Sequence, residues 1–186
     1  MMLTRETERL FLRPPIAEDL DPWIEIHEDP DVLRYLISAT PSVGRVGAWR
    51  MIAMMIGHWH IRGYGQWTVI EKATSEIIGR VGLWYPEGWP DLEVGWVIRK
   101  SRWGLGFATE AAREAIDVAF DHVGAEHVIS VIRPDNVPSI RVAEKLGETK
   151  ERSMMTDGVM SDIYGIWRPP DYRPRRLRSY ASVSER

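Results

Sequence analysis

The chain has 186 residues, 44% of them hydrophobic, and a formal net charge of −3, the proportions of one globular domain with a sizeable core. It contains no cysteine, which excludes disulfide staples, a thiolate nucleophile and cysteine metal sites. No apolar run reaches the roughly 20 residues that span a bilayer, and Met1 to Arg13 lacks signal-peptide organisation, so a cytoplasmic location is expected.

The opening stretch Glu6 to Pro15 alternates partly and then meets two prolines, which reads as a strand ending in a loop. Two helical stretches follow. Ala17 to Leu36 presents Leu20, Trp23, Ile24 and His27 on one face, with a turn at Asp29-Pro30. Ser42 to Ile61 presents Val46, Trp49, Ile52, Ala53, Ile56 and His60 at helical spacing. Three strands are expected next, at Gln66–Lys72, Glu76–Tyr85 and Leu92–Arg99, separated by turn-rich segments. A long helix from Ala108 to His122 has an alanine-rich buried stripe (Ala108, Ala111, Ala112, Ala115, Ile116, Ala119, Phe120) and charged residues outside.

A short apolar strand, His127 to Ile132, leads through Arg133–Asn136 to a helix from Pro138 to Leu146, stopped by Gly147. Two last strands, Glu148–Met154 and Met160–Trp167, flank a hairpin turn at Thr156-Asp157-Gly158-Val159. The order of elements predicts an α+β architecture with helices on the faces of a sheet. Residues 1–167 form the domain, and 168–186 form a basic, Pro/Arg-rich tail. That tail holds six arginines against Asp171 and Glu185, a net +4 that leaves −7 on the body. An acidic body argues against nucleic-acid binding and suits an amine-bearing substrate. The nine tryptophans suit broad apolar walls in a core, a pocket or an interface, and are compatible with a homodimer.

The strongest candidate site is the junction of a strand with the alanine-rich helix, Trp103-Gly104-Leu105-Gly106-Phe107-Ala108-Thr109. Two glycines let the backbone approach a ligand closely, and the helix start offers unpaired N–H groups and a positive dipole end. The result is an anion site, with Arg99, Lys100 and Arg102 beside it; a simple strand-to-helix turn would use the same glycines. A Walker A loop is excluded because no Gly-Lys-Ser/Thr follows. The Rossmann pattern fails because Thr109 holds the third glycine's place.

Glu93-Val-Gly-Trp-Val-Ile98 followed by Trp103-Gly-Leu-Gly-Phe-Ala-Thr-Glu-Ala111 resembles the acetyl-CoA motif of the GNAT N-acetyltransferase superfamily. Asn136-Val-Pro-Ser-Ile-Arg-Val-Ala-Glu-Lys-Leu-Gly147 resembles that family's second cofactor motif. The combination is similar to the branch of ribosomal-protein N-terminal acetyltransferases and runs from about Thr4 to Trp167. The resemblance implies a GNAT-like fold, with a mixed, mostly antiparallel twisted sheet of about six to seven strands and about four helices. It implies transfer of an acetyl group from acetyl-CoA (coenzyme A) directly to a primary amine, on a small molecule or a protein N-terminus, with no metal and no membrane. The backbone N–H of Trp96 would stabilise the carbonyl oxygen, the backbone through Val97 and Ile98 would pair with the pantetheine arm, and residues 103–109 would hold the pyrophosphate. Ser139 matches the serine of this branch and would supply or position a proton for the leaving thiolate; a helix-start serine capping a local N–H is the alternative. The tyrosine common in the superfamily falls on Ala143, which makes Tyr164 a second candidate donor and leaves a catalytically inactive acyl-CoA-binding module as the second functional reading.

Glu93 shares a strand face with Gly95 and Val97. A partly desolvated carboxylate there would serve as general base; an exposed or arginine-paired carboxylate is the alternative. Asn136 would bind cofactor, buttress the strands or form an Asx-turn. Lys145 and Arg141 would reach the cofactor's outer phosphate or remain solvated helix charges. The acceptor side is expected to draw on Trp23, Tyr35, Trp49, Trp59, Trp84 and Trp89. His58 and His60, two apart on a helix, face different directions, and the remaining histidines have no ligand-like spacing, so no metal is expected.

Overall fold

The computed structural model describes residues 3–36 and 44–174. A single sheet of eight strands has the order β1-β2-β3-β4-β5-β6-β8-β7. The strands are β1 (Arg5–Glu6), β2 (Leu10–Arg13), β3 (Gln66–Glu71), β4 (Ile77–Trp84), β5 (Glu93–Ile98), β6 (His127–Ile132), β7 (Thr149–Thr156) and β8 (Val159–Trp167). Five helices accompany them: α1 (Leu20–Glu28), α2 (Pro30–Leu33), α3 (Gly44–Arg62), α4 (Phe107–Val118) and α5 (Val137–Leu146). All neighbouring strands pair antiparallel except β5 and β6.

The sheet is slightly larger than expected because the first strand folds back on itself. Thr7 N–H donates to Leu10 O at 3.0 Å, and the Thr7 hydroxyl accepts the Leu10 N–H at 3.1 Å. This local turn divides the stretch into β1 and β2. Leu10 and Leu12 are fully buried, and the prolines at 14 and 15 end the strand. Asp29 splits the first helical stretch: its side chain accepts the Asp31 N–H at 2.9 Å and starts α2 with Pro30 in the first turn.

The face expected of α3 is corrected. Its start at Ser42 lies outside the described residues, and Val46 and Trp49 point outward, 66% and 62% exposed. The buried stripe is Gly47, Ala48, Ile52, Met55, His58 and Trp59. This helix is apolar nearly all round, so periodicity offers more than one stripe. Ile52 and Met55 pack with Trp23 and Trp84, while Gly47 and Ala48 add little bulk to the buried side.

On the opposite face α4 buries its alanine stripe against Val81, Leu83, Val94 and Ile98. Its last turn widens over Ala119–Val123 and stops at Gly124, whose φ is +76°. The β7–β8 hairpin turns through Asp157 and Gly158, both at positive φ (47° and 76°), the signature of a type I′ turn. In the basic tail, Arg168 N–H donates to Glu126 O at 2.8 Å and Tyr172 sets its ring edge against Phe120; residues 175–186 lie outside the described residues. Among those described, no helix is long and apolar enough to cross a membrane.

Candidate active site

The site begins with a conflict between two ladders. β5 is paired with β4 along Glu93–Ile98, and β6 with β8 along His127–Ile132. Between them β5 and β6 run parallel and pair only at Glu93 and Ile129, where Leu92 O accepts the Ile129 N–H at 2.9 Å. Beyond that point the strands diverge and leave a V-shaped gap.

Which backbone groups face the gap follows from the phase of the β4–β5 ladder. Arg99 N–H donates to Ile78 O at 2.7 Å, so the pairs Arg80–Val97 and Gly82–Gly95 exchange hydrogen bonds across β4 and β5. Val94, Trp96 and Ile98 therefore turn their N–H and C=O groups toward β6. Side chains claim two of these carbonyls. Ser130 Oγ donates to Val94 O at 2.8 Å, and Trp103 Nε1 donates to Ile98 O at 2.6 Å. Trp96, between them, keeps both backbone groups on the gap. Val97, by the same alternation, commits its backbone to β4 and offers the cleft its side chain.

Two lobes meet at this gap, sharing Tyr35, Leu36, Trp96, Val97, Asn136 and Ser139. The first lobe, about 510 Å³, lies between the β5–α4 loop and α5 and is lined by Ile98, Trp103, Gly104, Gly106, Phe107, Ala108, Thr109, Arg141 and Lys145. Gly104 and Gly106 hold φ of +75° and +85°, and a Cβ on Gly104 would meet nothing within 4 Å. The glycines are thus required by conformation, and the space above the loop stays open. Gly106 starts α4 without a side-chain cap, and the first helical bond runs from Glu110 N–H to Gly106 O. The N–H groups ahead of it border the lobe. This is a fit for a pyrophosphate, with Arg141 and Lys145 as its cations.

All three expected neighbours are spent elsewhere: Arg99 pairs with Glu25 at 3.0 Å, Lys100 with Asp31, and Arg102 with Glu71 at 3.0 Å and Glu76 at 2.9 Å. Leu105 does not line the lobe; it is 53% exposed, and its carbonyl accepts Arg9 Nη1 at 2.9 Å. Arg9 also pairs with Glu110 at 2.7 Å and lies 4.3 Å over the Phe107 ring. It braces the loop from β2, a contact across a hundred residues that sequence spacing does not reveal.

At the gap, Asn136 caps α5 by accepting the Ser139 N–H at 3.2 Å. Ser139 is thereby released from capping. Its Oγ instead accepts Trp96 Nε1 at 3.1 Å, which leaves the hydroxyl proton available to a further acceptor. Tyr164 packs with Ile132 and Ala143 and lines neither lobe.

The second lobe, about 480 Å³, opens on the α1–α3 side of the sheet and brings Tyr35, Met51, Met55, Trp84 and Trp89 around Gln66, Arg80 and Glu93. Asp157, at the hairpin tip, reaches its rim. Of the six aromatics expected there, Tyr35, Trp84 and Trp89 take part; Trp23 and Trp59 belong to the core, and Trp49 faces outward. Glu93 is buried, and Trp89 Nε1 donates to its Oε2 at 2.7 Å. Burial pushes the Glu93 carboxyl up to about 7, only partly offset by the Trp89 bond, the Arg80 charge and a backbone bond from Val131.

Beneath it, Gly95 leaves a floor. A Cβ there would lie 2.9 Å from Gln66 Nε2 and 3.2 Å from Glu93 Oε1, so the glycine is required by space and not by backbone angle. Gln66 Oε1 accepts Arg80 Nη1, and Arg80 Nε donates to His27 Nε2 at 3.0 Å. His27 Nδ1 faces Trp23 O at 2.8 Å, so the neutral ring donates from Nδ1 and accepts at Nε2. Burial, and then the Arg80 charge, hold its pKa down at about 3.

A second buried carboxyl stands behind the gap. Glu148 Oε1 lies 3.0 Å from Ser130 Oγ, and burial raises its pKa to about 8, with repulsion from Glu93 and Glu151 adding to the shift. The single Ser130 proton goes to Val94 O, so a protonated Glu148 completes the chain by donating to Ser130 Oγ. Gln66, Arg80 and Glu148 were not singled out from the sequence. The only signal for them is a polar residue inside an otherwise apolar strand or at a helix exit.

The chain matches the Acetyltransferase (GNAT) domain family over residues 9–149 and belongs to it. It is 32% identical over 170 residues to an uncharacterized N-acetyltransferase, p20, of Bacillus licheniformis, covering 88% of this chain and 94% of the relative. Its fold is similar to the crystal structure of an acetyltransferase from Agrobacterium tumefaciens (TM-score 0.78, 27% identity, 89% and 95% of the two chains covered). It is also similar in fold to Mycobacterium smegmatis RimJ in complex with CoA-disulfide (TM-score 0.69, 19% identity, 85% and 81% covered). The eight-stranded sheet and five helices are thus a GNAT fold.

Proposed function

We propose that the protein transfers the acetyl group of acetyl-CoA directly to a primary amine, on a small molecule or a protein N-terminus. The observation that carries this reading is the Trp96 backbone edge, with Glu93 facing the second lobe and Ser139 at the junction of the two. When bound, acetyl-CoA supplies a thioester whose carbonyl carbon bonds to the amine nitrogen as the C–S bond breaks. The Trp96 N–H donates to the carbonyl oxygen as charge grows there, in a gap from which β6 is held away. Glu93, poised near 7, takes the proton that the amine must lose. Ser139 donates its hydroxyl proton toward the departing sulfur, and the Trp96 indole fixes its orientation.

In the first lobe, the N–H groups at the start of α4 hold the pyrophosphate, and Arg141 and Lys145 approach the outer phosphate. Asn136 positions Ser139 by capping α5. The test pairs calorimetric titration of acetyl-CoA with thiol release across a panel of primary amines. Binding together with amine-dependent thiol release supports the reading. Tight binding with no release on any amine assigns the protein instead to acyl-CoA sensing.

A further inference from the structure

The second lobe contains a cation that the proposed chemistry leaves unused. Arg80 rises from β4 beside the glycine floor, and its polar partners, His27 and Gln66, are both neutral. Among the described residues no carboxylate lies within ion-pair distance of it. Glu93 influences it through space without contact. Loss of solvent pulls the guanidinium down to about 10, which still leaves it charged at neutral pH. A desolvated cation without a counter-ion is costly, and this one borders the cavity that the acceptor enters.

Resting on the acetyl-transfer reading, we propose that the acceptor is an α-amino acid with an apolar side chain, whose carboxylate pairs with Arg80 while its amine meets Glu93. Gln66 sets the spacing between the two charged groups. Its Oε1 is held by Arg80, and its Nε2 lies over the Gly95 floor, as does Glu93 Oε1. An α-amino acid carries its carboxylate one carbon from its amine, whereas a peptide N-terminus offers only a neutral carbonyl at that place. Arg80 and Glu93 also discriminate by charge. A simple amine leaves the guanidinium unpaired, and the loss of a charged partner in a desolvated site is penalised more heavily than the loss of a methylene. The walls around them, Met51, Met55, Trp84 and Trp89, are apolar, and methionines adapt to side chains of different shape.

The test is calorimetry on the full chain saturated with coenzyme A, titrated with L-phenylalanine, phenethylamine and a phenylalanyl dipeptide amide. Thiol release from acetyl-CoA is followed in parallel. L-Phenylalanine is expected to bind at least tenfold more tightly than phenethylamine and than the dipeptide amide. Arg80→Gln should bring the ratio to phenethylamine close to one, and Arg80→Lys should restore part of it. Equal or weaker binding of the amino acid, no binding by any of the three, or an unchanged ratio in Arg80→Gln would overturn the proposal. Should Arg80→Gln fail to fold, Arg80→Lys and the wild-type ratio still decide the matter. Amino-acid binding without thiol release would defeat the acetyl-transfer reading alone, so the two failures are separable.

Discussion

The two lobes of the cleft are built by opposite means. The lobe proposed for the coenzyme is mostly backbone: two positive-φ glycines, a helix start, a strand edge and a helix cap, nearly all within Trp96–Thr109 and Asn136–Lys145. The lobe proposed for the acceptor is mostly side chain, and its residues come from α1, α3, β3, β4, β5, β6 and the β7–β8 turn. A backbone site is specified by where glycine is needed and tolerates change at neighbouring side chains. A side-chain site depends on a desolvated network in which Glu93, Arg80, Gln66 and His27 tune one another, so single substitutions there should alter chemistry and pH dependence more than fold.

The largest test of that contrast is Glu93→Gln. It should lower kcat/KM on a good amine by about 100- to 1,000-fold while acetyl-CoA affinity, measured by calorimetry, stays within about twofold. An equal loss of coenzyme binding would dissolve the distinction between the lobes. Gly106→Val should do the reverse in order of cause. A branched side chain at φ +85° deforms the loop, and acetyl-CoA affinity should fall about 100-fold or more; wild-type affinity would mean that the pyrophosphate binds elsewhere. Ser139→Ala stands at the junction and should reduce kcat about 10- to 100-fold with coenzyme affinity nearly unchanged.

Two smaller effects sharpen the account of the buried carboxyls. Trp89→Phe removes a hydrogen bond that favours the ionised form of Glu93. The acidic limb of the rate profile should therefore move up from about 7, by roughly one unit or less. Glu148 provides a stability test. Its folded pKa of about 8 lies above the ordinary 4.5, so between those values the folded chain binds a proton that the unfolded chain has released. Its contribution to stability falls as pH rises through that window. Glu148→Gln, which keeps a donor for Ser130 without titrating, should raise Tm relative to wild type more at pH 8 than at pH 5, read by circular dichroism. An equal shift at both would show that Glu148 does not hold its proton.

The difference between the lobes also explains what the sequence revealed. The glycines of the β5–α4 loop, the alanine stripe of α4, Asn136 before α5 and Gly147 after it are local signals, each tied to a backbone angle or a cap, and their residues lie together in one lobe. Glu93 and Ser139 were legible as candidates, but their environments were not. That Asn136 frees Ser139 from capping, or that Trp89 reaches Glu93, depends on contacts fixed only by the packed fold. The periodicity of α3 pointed to Val46 and Trp49 along with Ile52, whereas packing against Trp23 and Trp84 kept Ile52 and added Met55. Arg80 looked like an ordinary strand residue; its lack of an acidic partner emerges only once β3, β4 and α1 are assembled around it.

The most direct test of the central claim, that Glu93 in the side-chain lobe acts on an amine delivered to the Trp96 edge, is the pH dependence of kcat/KM for thiol release from acetyl-CoA with a good primary amine. For the wild type, the profile should rise with pH through a limb near 7, where Glu93 ionises, and Glu93→Gln should lose that limb and retain only the one set by the amine itself. A limb near 7 that persists in Glu93→Gln would contradict the claim.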